Sequence, residues 1–207
     1  MIIAIDGSAA SGKGTLAKRV AAELGYDYLD TGALYRAVAL SLLNAGANSN
    51  KIDEKQAISA ASTLNLLLTQ TAEIRTDKVA ALASIVAAIS PVRAELLALQ
   101  RAFATAPPSG KGVVLDGRDI GTIVLPDADL KFFIDADLDI RAKRRTKELL
   151  QAGQSVMFRD VLEDMKVRDD RDRTRSLAPL KAADDAIIID TSKMDAAAVL
   201  ALALSYI

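Results

Sequence analysis

One stretch of this chain is built for phosphate chemistry: Gly7-Ser8-Ala9-Ala10-Ser11-Gly12-Lys13-Gly14-Thr15. Glycines let the backbone curl until several amide N–H groups point inward, and a lysine beside them adds a full positive charge. The rest of the composition narrows the chemistry further. The 207 residues include no histidine and no cysteine. That excludes Ser-His-Asp triads, histidine general bases, thiol nucleophiles, disulfides and the common zinc sites. What remains is lysine, arginine, carboxylates, hydroxyls, backbone amides and a hard cation.

The elements around the stretch must position it. Before it, Ile2-Ile3-Ala4-Ile5-Asp6 is a short β-branched run that reads as a buried strand. After it, Leu16–Leu24 repeats apolar residues at helical spacing, and Gly25 is a natural stop. The stretch therefore sits at a strand-to-helix turn, the setting of a P-loop. One detail departs from the general G-x-x-x-x-G-K-[ST] pattern: Gly14 stands at the hydroxyl position and Thr15 follows. That G-K-G-T variant resembles nucleoside monophosphate kinases more than GTPases or motor ATPases.

Further strands end in charged residues. Tyr26–Leu29 reads as a second strand running into Asp30-Thr31-Gly32, with Thr31 as a candidate cap for the helix carrying Arg36 to Leu43. Arg36 then lies within two turns of a strand's carboxyl end, where open α/β sheets bind ligands; a solvated helix arginine is the alternative. Asn44–Asp53 is polar and loop-like. Helical stretches follow at about 54–70, 77–89 and 91–104, with Ser90-Pro91 as a cap and first-turn proline. Gly112–Asp116 is an apolar, central strand whose terminal Asp116 matches the position at which a carboxylate holds Mg²⁺ or its water shell. Arg118 and Asp119 lie just beyond it. Leu130–Ile134 and Ala186–Asp190 are the fourth and fifth strands. A basic helix, Leu138–Gln151, a charged helix, about 157–175, and a last helix, Ala196–Tyr206, complete the chain. Alternating strands and helices predict an α/β fold with a parallel sheet covered on both faces.

The charged helix has one notable face. At about 100° per residue, Arg168, Arg171, Asp172 and Arg175 fall at about 0°, 300°, 40° and 340°. Three guanidinium groups and a carboxylate on one stripe make an anion clamp with room for a sugar hydroxyl; a solvated face with i,i+4 ion pairs is the alternative. Asp169, Asp170, Arg173 and Thr174 lie off the stripe.

Taken together, these residues resemble a bacterial cytidylate kinase. The matching segments are Gly7–Thr15, Leu29–Arg36, Glu73-Ile74-Arg75-Thr76, Gln100-Arg101-Ala102-Phe103, Asp116-Gly117-Arg118-Asp119-Ile120-Gly121-Thr122 and Arg168-Asp169-Asp170-Arg171-Asp172-Arg173, in family order and over almost the whole chain. The resemblance implies a P-loop NTPase three-layer fold with a five-stranded parallel sheet, a helical nucleoside-monophosphate-binding insertion and a lid. The core would span 1–37, 107–150 and 177–207, the insertion 38–106 and the lid 151–176. It implies that Thr31, Arg36 and Arg118 bind the acceptor nucleotide and its phosphate, that Ser84, Arg93 and Asp119 face the cytosine, and that Arg168 and Asp172 reach the ribose. Arg175 would face phosphate in the closed state. The departure from the family is a short connection before Glu73-Ile74-Arg75-Thr76, where many members carry extra strands.

The expected reaction is transfer of the ATP γ-phosphoryl group to CMP or dCMP. Gly7, Ser8, Ala9, Ala10, Ser11, Gly12, Lys13, Gly14 and Thr15 would hold ATP, with Lys13, Arg118, Arg168 and Arg175 catalytic. Mg²⁺ would have Thr15 and Asp116 as outer-shell partners. Alternatives are a P-loop kinase for UMP, AMP or shikimate, and a GTP-binding switch. The switch is disfavoured because no aspartate has glycine three residues on. A net charge of −1 gives no reason to expect a nucleic-acid polymer or acidic membrane as partner. The first residues, whose apolar run ends at Asp6, are not expected to act as a leader, and the longest apolar stretch, Val79–Ile89, is too short to span a bilayer. The expectation is a cytoplasmic monomer.

Overall fold

The computed structural model describes residues 1–47 and 52–207. A five-stranded sheet organises the chain: β1 (Ile2–Gly7), β2 (Asp27–Asp30), β3 (Val113–Gly117), β4 (Leu130–Asp135) and β5 (Ile187–Asp190). Their spatial order is β2-β3-β1-β4-β5. β1 is parallel to β3 on one side and β4 on the other, and β4 is parallel to β5. β3, β1 and β4 take the interior positions and bury nearly all of their apolar side chains, whereas β5, equally apolar, lies at an edge and leaves Ile188 exposed. Ile3 and Ile5 are wholly buried with Val114, Phe132 and Ile134, and Leu16 and Val20 pack on the same core.

Two compact units divide the chain, Met1–Leu29 with Pro107–Ile207, and Asp30–Ala106. The first contains α1 (Lys13–Leu24), which ends at left-handed Gly25. It also holds α6 (Leu138–Gln151), α7 (Phe158–Thr174) and α8 (Ala196–Leu204). The second is helical: α2 (Thr31–Asn44), α3 (Glu54–Ser62), α4 (Asp77–Val86) and α5 (Ser90–Thr105). Its core is Leu34, Val38, Leu42, Ile74, Val79, Leu82, Val92 and Leu96. The division takes all of α2 into the helical unit, whereas the expected insertion starts at 38.

Local capping chemistry corrects several expected boundaries. Asp30, not Thr31, caps α2, because its carboxylate accepts from the Ala33 amide at 2.9 Å; Thr31 is the first helical residue. Ser90 likewise lies inside α5, with Ile89 at the cap position. The stretch expected as one helix over 54–70 breaks after Ser62 and resumes as a 3₁₀ turn at Leu66–Gln70, capped by the Asn65 side chain. A second 3₁₀ turn, Ala72–Arg75, leads into α4, which Thr76 caps. The expected Asn44–Asp53 loop falls in part on 48–51, outside the described residues. No single helix among the described residues is long and apolar enough to cross a membrane.

Gly7 closes β1 under a strict constraint. A Cβ there would stand 2.0 Å from the Ile134 carbonyl oxygen, and its φ is +152°. Gly12 has φ +93° but open space around it. Gly7→Ala is therefore expected to cost about 3 kcal/mol or more from overlap plus strain, against about 1 kcal/mol for Gly12→Ala. Urea unfolding midpoints check this; equal losses would contradict it.

Candidate active site

The phosphate-binding loop and the Arg118-Asp119 loop emerge from the carboxyl ends of adjacent strands, β1 and β3, where parallel sheets present ligand sites. Across the β1–β3 register Asp6 aligns with Gly117. From there its carboxylate accepts from the Ile120 and Gly121 amides, both at 2.8 Å. These amides open the π-helical turn Ile120–Val124. Asp6 so ties the end of one strand to the loop that follows its neighbour. Sequence reasoning passed over it as a strand terminus. The available signal was a carboxylate at the end of an otherwise apolar buried strand.

The glycine-rich stretch lies, as its flanks predict, at the turn between β1 and α1. Lys13 opens α1 and its Nζ donates to the Ser8 carbonyl at 3.2 Å. Ser8 and Ser11 are buried, and neither hydroxyl has a hydrogen-bonding partner. Gly14 lies against Asp116: a Cβ at Gly14 would be 3.2 Å from Asp116 Oδ2. The Tyr28 hydroxyl donates to the other carboxylate oxygen at 2.9 Å. Thr15 is exposed in the first turn of α1.

On α7, Asp172 is buried, and Arg118 Nε donates to its Oδ2 at 3.1 Å. Burial pushes the Asp172 carboxyl up, but the charges of Arg118, Arg168 and Arg175 outweigh it and hold the group below the usual carboxylate range. Arg118 thus takes the place expected for Arg171 around this carboxylate. Arg175 lies just past the helix, donates from Nε to the Ala178 carbonyl at 2.6 Å, and brings Nη2 to 4.0 Å from Asp119 Oδ1. Asp119 is buried. Of the expected site residues in this unit, Arg118, Asp119, Arg168, Asp172 and Arg175 form one charged cluster. Asp169, placed off the stripe by helical spacing, is also buried, in an ion pair with Arg141 at 2.7 Å.

In the helical unit, Arg36 Nη2 meets Asp30 Oδ2 at 2.7 Å. The Asp30 carboxylate serves both the cap and the ion pair, one oxygen accepting from the Ala33 amide and the other from Arg36. Arg93 is buried in the first turn of α5, donates to the Ala87 carbonyl at 3.4 Å, and lies 5.8 Å from the Tyr35 ring centroid. Ser84 is buried on α4, which packs against α2.

The family model for cytidylate kinase matches residues 3–207. The chain belongs to the cytidylate kinase family. The cytidylate kinase of Paramagnetospirillum magneticum is 52% identical over 206 residues, covering all of this chain and 97% of that one. The cytidylate kinase of Rhodospirillum rubrum is 51% identical over 205 residues, covering 99% and 95%. Among solved structures, an uncharacterized protein from Eubacterium ventriosum superposes with a TM-score of 0.58 at 18% identity, covering 100% of this chain and 97% of that one. That likeness shows the fold. As in P-loop kinases generally, the chain is an α/β protein with a parallel sheet.

This cytidylate kinase family member keeps an unusual carboxyl at the root of its site. Asp6 is pushed up to about 7, first by burial and also by the Asp119 charge, against the pull of the Gly121 and Ile120 amides and Lys13. A folded value above the unfolded one means the native state holds more protons than the unfolded chain between the two. Its contribution to stability is then full below about pH 4 and lost as pH rises through about 7. The wild type should lose stability relative to Asp6→Asn across that window, by a few kcal/mol. Chemical unfolding at pH 4, 5.5 and 7.5 checks this; parallel profiles for the two proteins would contradict it.

Proposed function

We propose that the chain transfers the γ-phosphoryl group of ATP to CMP or dCMP, giving CDP or dCDP and ADP. What carries the reading is a P-loop with a fixed lysine and an arginine cluster around Asp172 in one unit of a cytidylate kinase family member. The attacking atom is a phosphate oxygen that is already anionic at neutral pH. No general base is required, which suits a chain without histidine. Catalysis then consists of positioning and charge neutralisation.

Lys13 and the amides of Gly7–Thr15 hold the ATP phosphates. Arg118, Arg168 and Arg175 neutralise charge on the transferring group, and Asp172 keeps the three guanidinium groups together before phosphate arrives. Thr31, Arg36 and Arg118 take the acceptor nucleotide and its phosphate. The Arg36–Asp30 pair presets that guanidinium without using all its donors. Ser84, Arg93 and Asp119 read the base, while Arg168 and Asp172 reach the ribose. Residues 38–106 serve as the acceptor-binding insertion and 151–176 as the lid, which excludes water from the phosphoryl group.

Mg²⁺ fits this site as an ion held mainly by phosphates and water. Asp116 flanks Gly14 with a carboxylate braced by Tyr28, and Thr15 is exposed in the first turn of the helix beside it; no group of three acidic side chains is gathered for a metal among the described residues. One carboxylate and one hydroxyl suffice for an outer shell. Bound there, the ion would neutralise phosphate oxygens. We propose a monomer that acts in the cytoplasm on free nucleotides.

Base selectivity tests the reading. Cytosine offers an amine donor and an unprotonated N3 where uracil has an acceptor and an N–H. Asp119 accepts and Arg93 donates, so uracil would leave buried polar groups unpaired at a cost of several kcal/mol, roughly. A coupled ADP-release assay should give kcat/KM for CMP and dCMP at least about a hundredfold above UMP and AMP. Asp119→Ala should lose CMP activity and narrow the preference. UMP or AMP turning over as well as CMP in the parent protein would contradict the cytidylate assignment.

A further inference from the structure

Arg141 is an arginine that the reaction as described does not use, yet it is only 3% exposed. It projects from the first turn of α6 and spends its donors on three separate parts of the fold. Nε donates to the Ala136 carbonyl at 2.7 Å, just past β4. Nη1 donates to the Ala9 carbonyl in the phosphate-binding loop at 3.3 Å. The same Nη1 meets Asp169 Oδ2 on α7 at 2.7 Å. Asp135 Oδ1 lies farther off, at 3.8 Å from Nε. Asp169 is 6% exposed, and its other oxygen is buried without a hydrogen-bonding partner.

The Ala9 contact bears on phosphate binding through the geometry of one peptide. A trans peptide is planar, with its C=O and N–H pointing in opposite directions. Holding the Ala9 carbonyl toward Arg141 fixes the Ala10 N–H pointing away from it. Ala10 sits at φ +56°, a left-handed conformation that a non-glycine residue keeps only when its surroundings hold it there. An inward-turned amide in such a bend is what an anion-binding nest requires.

We infer that Arg141 is a positioning residue for the phosphoryl donor, and that Asp169 couples α7 to the phosphate-binding loop through it. A guanidinium can serve a carbonyl and a carboxylate at once because its donors are fixed in a plane; a lysine ammonium cannot span the same three acceptors. Displacing α7 would remove the carboxylate that offsets the buried charge, and Arg141 would leave Ala9 to find another partner. Ordering α7 and ordering the loop are then one event. Ala142 and Leu149 of α6 pack with Val161 and Met165 of α7 and with Ala9 itself, so the apolar contacts follow the same path.

The inference rests on the loop's binding ATP, and the experiment separates the two. Affinities for ATP without CMP, and for CMP without ATP, are measured by calorimetry in the wild type, Asp169→Asn and Arg141→Lys. Arg141→Lys keeps a cation opposite Asp169 and guards against loss of the fold. The expected result is ATP binding weakened about tenfold in both variants, the worth of one charge-assisted hydrogen bond, with CMP binding changed less than about twofold. Unchanged ATP affinity overturns the inference, and so does equal weakening of ATP and CMP, which marks a general structural role. Failure of the wild type to bind ATP would instead overturn the kinase reading.

Discussion

The site hangs on the link between Asp6 and the Ile120 and Gly121 amides. Parallel neighbours leave their loops at the same end of the sheet, but nothing in that arrangement fixes one loop against the other. A carboxylate with two oxygens can accept from two successive amides, and Asp6 does so from the last position before the phosphate-binding turn. Arg118 and Asp119 are thereby held at a set distance from Lys13. The cost is a buried acid whose own ionisation is disfavoured. The Gly121 and Ile120 amides and the Lys13 charge offset part of that cost.

The charged helix follows a related logic. Its composition suggests a face with nothing to pack on. In the structure, however, Asp169 and Asp172 are both buried and each is faced by an arginine from elsewhere in the chain, Arg141 and Arg118. A buried ion pair is costly to break and adds little over a well-packed apolar pair. Its gain is placement: two carboxylates three residues apart orient the helix, and Arg168 and Arg175 gather with Arg118 around Asp172.

Much of this was legible in the residues. Four apolar runs became β1, β3, β4 and β5, and the short Tyr26–Leu29 stretch became β2; the glycine spacing with Lys13 marked the strand-to-helix turn between β1 and α1. Helix starts were harder. Asp30 and Thr31 are both good caps, and only the backbone decides which carboxylate or hydroxyl meets the free amides. The helical wheel put Arg171 on the stripe and Asp169 off it, but a wheel knows one helix. It cannot show that Arg118 arrives from another loop, or that Arg141 waits on the far side for Asp169. A carboxylate ending an apolar strand marked Asp6 as unusual, but not what it holds: its partners are 114 and 115 residues away.

The central claim, that this loop delivers the γ-phosphoryl group of ATP to CMP, is tested most directly by following the reaction with phosphorus NMR in the presence of Mg²⁺. ATP and CMP incubated with the wild-type chain should yield the paired resonances of CDP as those of ATP decline, and Lys13→Ala, folded by circular dichroism, should yield none on the same timescale. Absence of CDP with the wild type, or its formation at an equal rate with Lys13→Ala, would contradict the account.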